Sequence, residues 1–375
     1  MDPLFPPAEF RIPDGVAHVC AGGETAFLHR HDAALLAYAR DKSLGMPGRD
    51  AQDAAVLRAR DLVAAAWGVR RGDIGLCANV AEGMSLVVES LPWKPGESMV
   101  VDPDEYASLV APAALQRHPR IAVRFARMSD PAAVAAAVDG GTRLIAVSHV
   151  SYLTGERFDL APLREIADRV GALLAVDHTQ AAGWLPIRPG LADFAFSATY
   201  KWMLGMTGTT VAYWNRDRQP DWAPATAGWH SLATGTARPD WRSRDIALVP
   251  DAMRFARGNP AHAAVYVLGS AMDYLGGFDP EAVTRHVQGL TTALLDRLAR
   301  AGIATTTPAD PARHGASVCI AHPRAAALCA ALQERGVWAW NGRGRIRFSF
   351  HGYNGMADVE RIMDALSALG PLTPG

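Results

Sequence analysis

The sequence predicts an α/β protein built on a mainly parallel sheet with helices on both faces. Between residues 100 and 214, short β-rich runs alternate with helical stretches rich in Ala, Leu and Arg, a pattern typical of that architecture. Several of these runs are apolar throughout, as strands covered on both faces tend to be. The 375-residue chain is 49% hydrophobic, which suffices for a large core and a second, smaller domain.

The strands of this sheet are predicted from their apolar, β-prone composition. They are Met99–Asp102, Ala122–Phe125, Leu144–Val150, Leu173–Asp177, Phe194–Ser197 and Thr209–Trp214. Polar residues gather where three of them end, at Ser148-His149, Asp177-His178 and Thr199-Tyr200-Lys201. Because ligands of open α/β sheets bind at the carboxyl ends of the strands, we expect the functional site at this edge.

The rest of the chain divides around a long irregular stretch. Residues 226–260 are rich in Trp, Arg, Asp and Gly without clear periodicity, which predicts a loop region crossing between domains. The elements predicted after it are the helices Ala264–Leu275, Glu281–Ala301 and Ala357–Leu369 and the strands Ser317–Ala321 and Ile346–Phe350. We predict an N-terminal segment (1–60), a large domain (61–258) and a small α+β domain (259–375), on which the N-terminal segment is a candidate to pack.

Composition excludes several classes of function. A formal net charge of −1 and the lack of Lys/Arg clusters argue against nucleic-acid and anionic-membrane partners. Cys20, Cys77, Cys319 and Cys329 are widely spaced, which argues against a disulfide framework and a structural zinc site. The chain begins without a secretory signal pattern and has no 18-residue apolar run. We expect a cytoplasmic protein without a metal site that acts on a small molecule.

A lysine follows one predicted strand and an aspartate ends another. Lys201 stands in Phe194-Ala-Phe-Ser-Ala-Thr-Tyr-Lys, and Asp177 stands in Ala175-Val-Asp-His-Thr-Gln. Taken alone, the lysine is equally consistent with a surface position and the aspartate with a helix N-cap. Together they match pyridoxal 5′-phosphate (PLP) chemistry, which needs an amine for the aldehyde and an acid beside the pyridine nitrogen. The pair therefore favours a PLP site.

These segments resemble the fold type I PLP enzymes of the class V aminotransferase group, and most of all kynureninases. The likeness begins near Asp73. Its best-matching pieces are Ser148-His-Val-Ser-Tyr-Leu-Thr-Gly, Thr199-Tyr-Lys-Trp-Met-Leu-Gly, Gly228-Trp, Phe255-Ala-Arg-Gly-Asn-Pro and Arg347-Phe-Ser-Phe. The resemblance implies a PLP-dependent enzyme with a transferase-like large domain, a small C-terminal domain and an amino-acid substrate.

The resemblance also implies roles for the residues around the cofactor. Lys201 corresponds to the Schiff-base lysine, Asp177 to the partner of the pyridine nitrogen and Tyr200 to a phosphate ligand. Ser197 and Thr199 are further candidates beside them. Gln180 stands at a position where kynureninases have histidine. Desulfurases and many class V aminotransferases have glutamine there, and Gln180 is also counted as a cofactor-binding residue.

The phosphate is expected at the start of a helix. Asn79-Val-Ala-Glu-Gly opens that helix, so Ala81 and Glu82 lie where unpaired amides favour an anion. The group often has threonine at the position of Ala81. Without that hydroxyl, the phosphate must rely on backbone donors and on hydroxyls from elsewhere.

The remaining candidates concern ring stacking, the neighbouring subunit and the substrate. Tyr106 is expected to stack on the cofactor ring, with simple core packing as its alternative. Trp229 and Asn259 are expected to reach the neighbouring subunit's site, which implies a homodimer, or else to pack within loops. Arg347 is expected to bind the substrate carboxylate, although Arg345 lies on the same strand face.

The choice of reaction rests on one further comparison of motifs. A cysteine desulfurase needs a nucleophilic cysteine on a loop shortly before the carboxylate-binding arginine, and residues 335–346 contain none. We therefore expect a kynureninase-like enzyme that cleaves at Cβ, with an aminotransferase or epimerase as the alternative. A desulfurase ranks lower. An inactive binding module ranks lower too, since Lys201 and Asp177 are both present.

Overall fold

The structure is a computed structural model that describes residues 1–117, 119–233, 240–242 and 246–370. Its α-helices are α1 (His31–Lys42), α2 (Met46–Trp67), α3 (Val80–Ser90), α4 (Ala107–Ala114), α5 (Pro131–Ala137), α6 (Leu160–Val170), α7 (His262–Leu275), α8 (Pro280–Arg300), α9 (Ala325–Gln333) and α10 (Met356–Ala368). Its strands are β1 (Ala17–His18), β2 (Ile74–Cys77), β3 (Ser98–Val101), β4 (Ala122–Phe125), β5 (Thr142–Ser148), β6 (Leu173–Asp177), β7 (Phe194–Ala198), β8 (Thr210–Trp214), β9 (Ser317–Ala321), β10 (Val337–Trp338), β11 (Trp340–Gly342) and β12 (Arg345–Ser349).

Seven of these strands form the large sheet, in the order β2-β8-β7-β6-β5-β3-β4. Strand β8 is antiparallel to both of its neighbours, and the other adjacent pairs are parallel. The predicted α/β class with a mainly parallel sheet is therefore confirmed. The six predicted strands match β3 to β8 to within two residues at each end.

Burial follows position in the sheet. All residues of β8 and of β3 are buried, and so are all but the last of β7, because helices cover both faces. The edge strand β4 is the exception, with both of its end residues exposed. The sequence prediction missed β2, a four-residue strand that follows directly on the long helix α2 and a short helical turn.

Helix α3 lies unusually close to the sheet. A Cβ atom added to Gly83 would come within 2.5 Å of the Phe196 ring on β7, so only glycine permits this approach. The helix therefore begins directly above the carboxyl ends of the central strands. Ser148, Asp177 and Ala198 end three adjacent strands at that edge.

The C-terminal part contains a second, three-stranded antiparallel sheet in the order β11-β12-β9. Strand β9 has the predicted bounds, and β12 begins and ends one residue before its prediction. Helices α8 and α10 pack together, and α9 packs on β12. The predicted α+β composition of this part of the chain matches these elements.

The N-terminal segment pairs with this C-terminal part. Strand β1 lies parallel to β10, with Ala17 opposite Val337. The backbone of Cys20 forms an isolated parallel β-bridge with that of Ser349 in β12. The Phe5 amide donates to the Gly352 carbonyl at 2.8 Å. These pairings carry the chain from its first residues to the edge of β12. Within the described ranges, no helix is long and apolar enough to cross a membrane.

Candidate active site

A cavity of about 210 Å³ opens at the carboxyl edge of the large sheet. It is lined by Asn79, Val80, Tyr106, Ser108, Ser148, Tyr152, Asp177, Thr179, Gln180, Ala198, Tyr200 and Lys201. Five of the residues singled out in the sequence meet here: Tyr106, Asp177, Gln180, Tyr200 and Lys201. These five residues lie up to 95 positions apart in the sequence, from Tyr106 to Lys201, and they meet near the carboxyl ends of β5, β6 and β7.

Lys201 follows β7 and is buried. Burial, and then the charge of Arg347, lower the pKa of its amine to about 8, although Asp177 and Glu24 oppose this shift. Its Nζ lies 5.9 Å from the centre of the Tyr106 ring and 5.5 Å from that of Tyr200. The chain contains two other lysines, Lys42 and Lys94, and both are exposed. Lys201 is therefore the one lysine placed inside a cavity.

Asp177 ends β6 and is buried on the floor of the same cavity. Burial raises the pKa of its carboxyl, while hydrogen bonds from Thr179 and the charge of Lys201 lower it. Its Oδ1 accepts a hydrogen bond from the Thr179 amide at 2.8 Å. The sequence alternative of a helix N-cap does not fit, because the residues after it form turns and no helix.

Tyr106 forms one wall of the cavity. It stands at the N-cap of α4 and is 42% exposed, so the alternative of a tyrosine packed in the core is wrong. Its ring meets the Tyr152 ring edge-on, with the centres 4.9 Å apart. The open face of Tyr106 is therefore available to a flat ligand held near Lys201.

The start of α3 closes another side. The Asn79 side chain accepts from the Glu82 amide at 2.9 Å, and the Glu82 carboxylate accepts from the Ala78 amide at 2.7 Å. Glu82 therefore caps its own helix. The amides of Val80 and Ala81 stand in the first turn, where a helix has no internal acceptor for them. They are donors for an anion at this end of the cavity.

The structure does not bring Ser197 and Thr199 to the cavity. The Thr199 hydroxyl donates to the carbonyls of Met206 and Thr209 at 3.1 and 3.0 Å, so it fastens the loop that follows Lys201. Ser197 is buried within β7 and donates to the Ala198 carbonyl at 3.4 Å. The serine and threonine residues that do line the cavity are Ser108, Ser148 and Thr179. The sequence analysis gave Ser108 and Thr179 no role.

Trp229 and Asn259 also lie away from the cavity within a single chain. Trp229 is 59% exposed. Asn259 accepts a hydrogen bond from Arg49 and lines a separate cavity of about 200 Å³ that also touches Glu82. Both positions are compatible with contact to a second subunit, and neither reaches Lys201 of its own chain.

Arg347 on β12 is 2% exposed. Its Nη1 donates to the Tyr152 carbonyl at 2.6 Å, and its guanidinium carbon lies 4.4 Å from the centre of the Trp340 ring. Burial lowers its pKa, and its buried Nε has no partner within the described part of the chain. Arg345, the other arginine of this strand, bonds to the Arg343 carbonyl and is only half-buried.

The N-terminal segment contributes to the site, which the sequence analysis did not foresee. The Gln180 side chain donates to the Gly22 carbonyl at 3.1 Å. A Cβ atom on Gly22 would lie 2.7 Å from the Ser349 hydroxyl, so the backbone lies tightly against β12. Glu24 interacts electrostatically with Lys201. The glycine pair at 22 and 23 was the one sequence signal of a close backbone approach.

Two histidines, His149 and His178, contact each other near the carboxyl edge of the sheet. Nδ1 of His149 and Nδ1 of His178 are 3.1 Å apart. Burial lowers both pKa values, that of His149 to about 4. Both rings are therefore neutral at neutral pH, where one donates a hydrogen bond and the other accepts it. Because His149 follows β5 and His178 follows β6, the pair links the carboxyl ends of these two strands.

A buried lysine amine, a carboxylate at a neighbouring strand end, an aromatic wall and a helix N-terminus together define a PLP-dependent enzyme of fold type I. The chain belongs to the aminotransferase class V family, whose model matches residues 42–362. The expected family is thus confirmed. The similarity to kynureninases in particular is less well supported than membership of the family.

Among curated relatives, a probable cysteine desulfurase of Methanothermobacter thermautotrophicus is 26% identical over 83% of this chain and 82% of its own length. The kynureninase of Pseudomonas fluorescens is 26% identical over 65% of this chain and 59% of its own. The first alignment covers more of both chains. Sequence similarity therefore supports the class V family more firmly than any one of its reactions.

Solved structures share the fold at low sequence identity. The cysteine desulfurase of Thermococcus onnurineus NA1 has a TM-score of 0.85 and 21% identity, and the match covers 98% of this chain and 99% of that one. The cystine C–S lyase C-DES, solved with its product cysteine persulfide, has a TM-score of 0.87 and 19% identity, covering 96% and 99%. Another C-DES structure holds glycine linked to PLP.

PLP is the cofactor that this family and these neighbours indicate, and the residues of the cavity fit it. The cavity offers an amine, an acid, an aromatic face and free helix amides. The Tyr152 hydroxyl is also buried without a partner among the described residues, so a polar donor is left for a bound molecule.

Proposed function

We propose that this chain is a PLP-dependent enzyme that cleaves an amino-acid substrate at Cβ, as a kynureninase-like hydrolase or lyase, with Lys201 carrying the cofactor. The observation that carries this proposal is the placement of Lys201. Its amine, with a pKa lowered to about 8, shares one cavity with Asp177 and lies close enough to the Arg347 guanidinium for that charge to lower its pKa.

The roles of the cavity residues follow from their positions. Asp177 would pair with the ring nitrogen and keep it protonated, and Tyr106 would cover one face of the ring, with Gln180 near Asp177 in the same lining. The Val80 and Ala81 amides, with the hydroxyls of Ser108, Thr179 and Tyr200, would hold the phosphate. In this arrangement Ser197 and Thr199 support the loop that presents Lys201 and bind no phosphate.

When bound, PLP supplies an electron sink that stabilises negative charge at the substrate Cα. Arg347 binds the substrate carboxylate and fixes the orientation of the Cα–H bond. Lys201 Nζ would accept the Cα proton of a bound substrate, and a pKa near neutrality suits an amine for that transfer. Asp177 would keep the nitrogen of a bound pyridine ring protonated. Burial of the cavity limits protonation by water.

Cβ cleavage is preferred because the Tyr-Lys, Gly-Trp and Gly-Asn-Pro segments resemble kynureninases. The fold likeness to C-DES, named as a cystine C–S lyase, is compatible with the same reaction type. An aminotransferase or epimerase remains the alternative, since many class V aminotransferases have glutamine at the position of Gln180.

Cysteine desulfurase is the second candidate, favoured by the Methanothermobacter relative. One observation bears on it specifically. Cys20, on the N-terminal segment, interacts electrostatically with both Arg347 and Lys201. Cys319 has the larger electrostatic effect on Arg347. Burial raises its pKa, which disfavours the reactive thiolate. Cys319 and Cys329 are buried, and burial raises the pKa of Cys319 to about 11.

A homodimer completes this proposal. Trp229 is exposed and Asn259 lines a cavity separate from the one that holds Lys201, as expected of residues that serve a neighbouring subunit. Analytical ultracentrifugation is expected to give a dimer. Mixing Lys201→Ala protein with Trp229→Ala protein is expected to recover part of the activity through hybrid sites.

The reaction is tested by incubating PLP-loaded enzyme with kynurenine, 3-hydroxykynurenine, cystine and cysteine without a keto acid. We expect alanine or pyruvate as a product, with the cofactor regenerated at each turnover. Stoichiometric conversion of the cofactor to its amino form, with turnover only after a keto acid is added, would establish the aminotransferase alternative. Sulfide or persulfide formed from cysteine together with alanine would establish the desulfurase candidate.

A further inference from the structure

Glu105 connects two sides of the cavity without lining it. Its Oε2 accepts from the Ser148 amide at 2.8 Å, and its Oε1 accepts from the Ser148 hydroxyl at 2.6 Å. Oε1 also accepts from the Tyr106 amide at 2.6 Å. One carboxylate therefore binds both polar groups of Ser148 and the backbone of the residue that forms the aromatic wall.

These bonds join elements that carry different parts of the site. Ser148 ends β5 and lies opposite Asp177 of β6 in the sheet register. Tyr106 begins α4 and faces Lys201. The distance from the Tyr106 ring to the acid on the cavity floor is thus set through Glu105 and Ser148.

We propose that Glu105 is a positioning residue, which holds Tyr106 against the cofactor ring while Asp177 holds the ring nitrogen. This role rests on the proposed function, because it requires a flat cofactor between the two residues. Glu105 touches neither substrate nor cofactor. It acts through the hydrogen bonds to Ser148 and Tyr106.

The charge of Glu105 decides how well it performs this role. Burial raises the pKa of its carboxyl to about 7, although the bonds from Ser148 and Tyr106 oppose this shift, and the charge of Asp177 contributes to it. On its own loop, Asp102 and Asp104 pair with Arg127. On the facing elements, the Tyr152 phenol interacts with Glu105, and Lys201 lies beyond the Tyr106 ring.

The direction of the pH effect follows. Above its pKa the carboxylate accepts all three hydrogen bonds, and below it one oxygen carries a proton and accepts less well. The aromatic wall is therefore held most firmly on the alkaline side of about pH 7, and it loosens as the pH falls.

The test compares Glu105→Gln with Glu97→Gln in the PLP-loaded protein. Glu97 is a matched control, because its carboxylate also accepts a backbone amide, that of Lys94 at 2.7 Å, at the opposite end of β3. We measure amide hydrogen exchange at residues 105–108 and 148, circular dichroism in the cofactor absorption band and the Kd for PLP. None of these readouts requires turnover, so they remain informative if the proposed reaction is wrong.

For Glu105→Gln we expect exchange faster by about tenfold at these amides and a weaker dichroic band, since charge-assisted bonds are lost. The fall in PLP affinity around pH 7 that protonation of Glu105 causes is expected to disappear, and only the effect of Lys201 protonation near pH 8 is expected to remain. Glu97→Gln is expected to match the natural protein. Unchanged exchange, dichroism and pH dependence in Glu105→Gln would overturn the proposal.

If Glu105→Gln does not fold, the Glu105→Asp variant tests the positioning role instead. This shorter carboxylate still ionises but does not reach both Ser148 and Tyr106. We therefore expect the fall in PLP affinity around pH 7 to remain and PLP to bind more weakly by about threefold or more. PLP affinity equal to that of the natural protein would contradict the positioning role.

Discussion

Nη1 of Arg347 donates a hydrogen bond to the carbonyl of Tyr152 at 2.6 Å. The arginine comes from the small antiparallel sheet, and the tyrosine follows β5 of the large one. The arginine that we propose as the substrate-carboxylate ligand is thus attached to Tyr152, which lines the cavity that holds Lys201. Under that proposal, alignment of substrate with cofactor depends on this contact between the two sheets.

The first prediction concerns the attachment site of the cofactor. Borohydride treatment of the PLP-loaded protein is expected to fix the label on Lys201, as found by mass spectrometry of peptides. Since the chain has two other lysines, Lys42→Arg and Lys94→Arg serve as complete controls and should label normally. Label on Lys42 or Lys94 would refute the assignment.

The second prediction concerns pH. Only the neutral amine attacks an aldehyde, and burial lowers the pKa of Lys201 to about 8. The rate of PLP attachment to the apoprotein should therefore rise with pH through a midpoint near 8, and it should plateau before an ordinary lysine deprotonates. Stopped-flow absorbance measures this profile. A midpoint near that of an exposed lysine would show that the site does not shift the amine.

The third prediction separates Asp177 from Arg347. Asp177→Asn should lower kcat by about tenfold or more with little change in KM, because it weakens stabilisation of developing charge. Steady-state kinetics on the substrate found in the panel assay measures both constants. A higher KM with normal kcat would contradict the role given to Asp177.

The fourth prediction concerns the substrate clamp. Arg347→Ala should raise KM by about tenfold or more, since a charge-assisted bond is lost. The KM of Arg347→Lys should lie between that of the natural protein and that of Arg347→Ala, because an ammonium does not bind a carboxylate through two parallel bonds. Arg345→Ala is the control and should have little effect. If Arg345→Ala shows the larger rise in KM, then Arg345 and not Arg347 binds the substrate carboxylate.

The fifth prediction concerns the thiols. Because burial raises the pKa of Cys20, its thiol is protonated at neutral pH, and Cys20→Ser should keep activity within about twofold. Cys329→Ser serves as a control for simple loss of packing. Complete loss of alanine formation in folded Cys20→Ser protein would favour the desulfurase candidate.

The sequence predicted the central strands because burial on both faces leaves continuous apolar runs. It also predicted Asp177 and Lys201 as neighbours, because parallel strands end at one edge. It missed β2, since four residues after a long helix carry too little pattern. Direction of side chains was harder to predict: Thr199 has the right chemistry for a phosphate ligand, but its hydroxyl is bound to Met206 and Thr209.

The contribution of the N-terminal segment was not predictable for a different reason. Gly22 acts through its carbonyl and through the absence of a side chain, and neither leaves a chemical motif. Glu105 likewise works through hydrogen bonds to backbone and hydroxyl groups. Sequence patterns report side-chain chemistry that points at a ligand more readily than contacts that hold other residues in place.

The pairing of residues 17–24 with residues 337–349 has a consequence for biosynthesis. Ala17 meets Val337 and Cys20 meets Ser349, so these contacts join parts of the chain more than 300 residues apart. During translation the large sheet can form while the early residues still await their partners, because contacts this distant in sequence close late. Tight cofactor binding should therefore arise only after β12 has left the ribosome, and release of an almost complete chain would yield a folded but cofactor-poor protein.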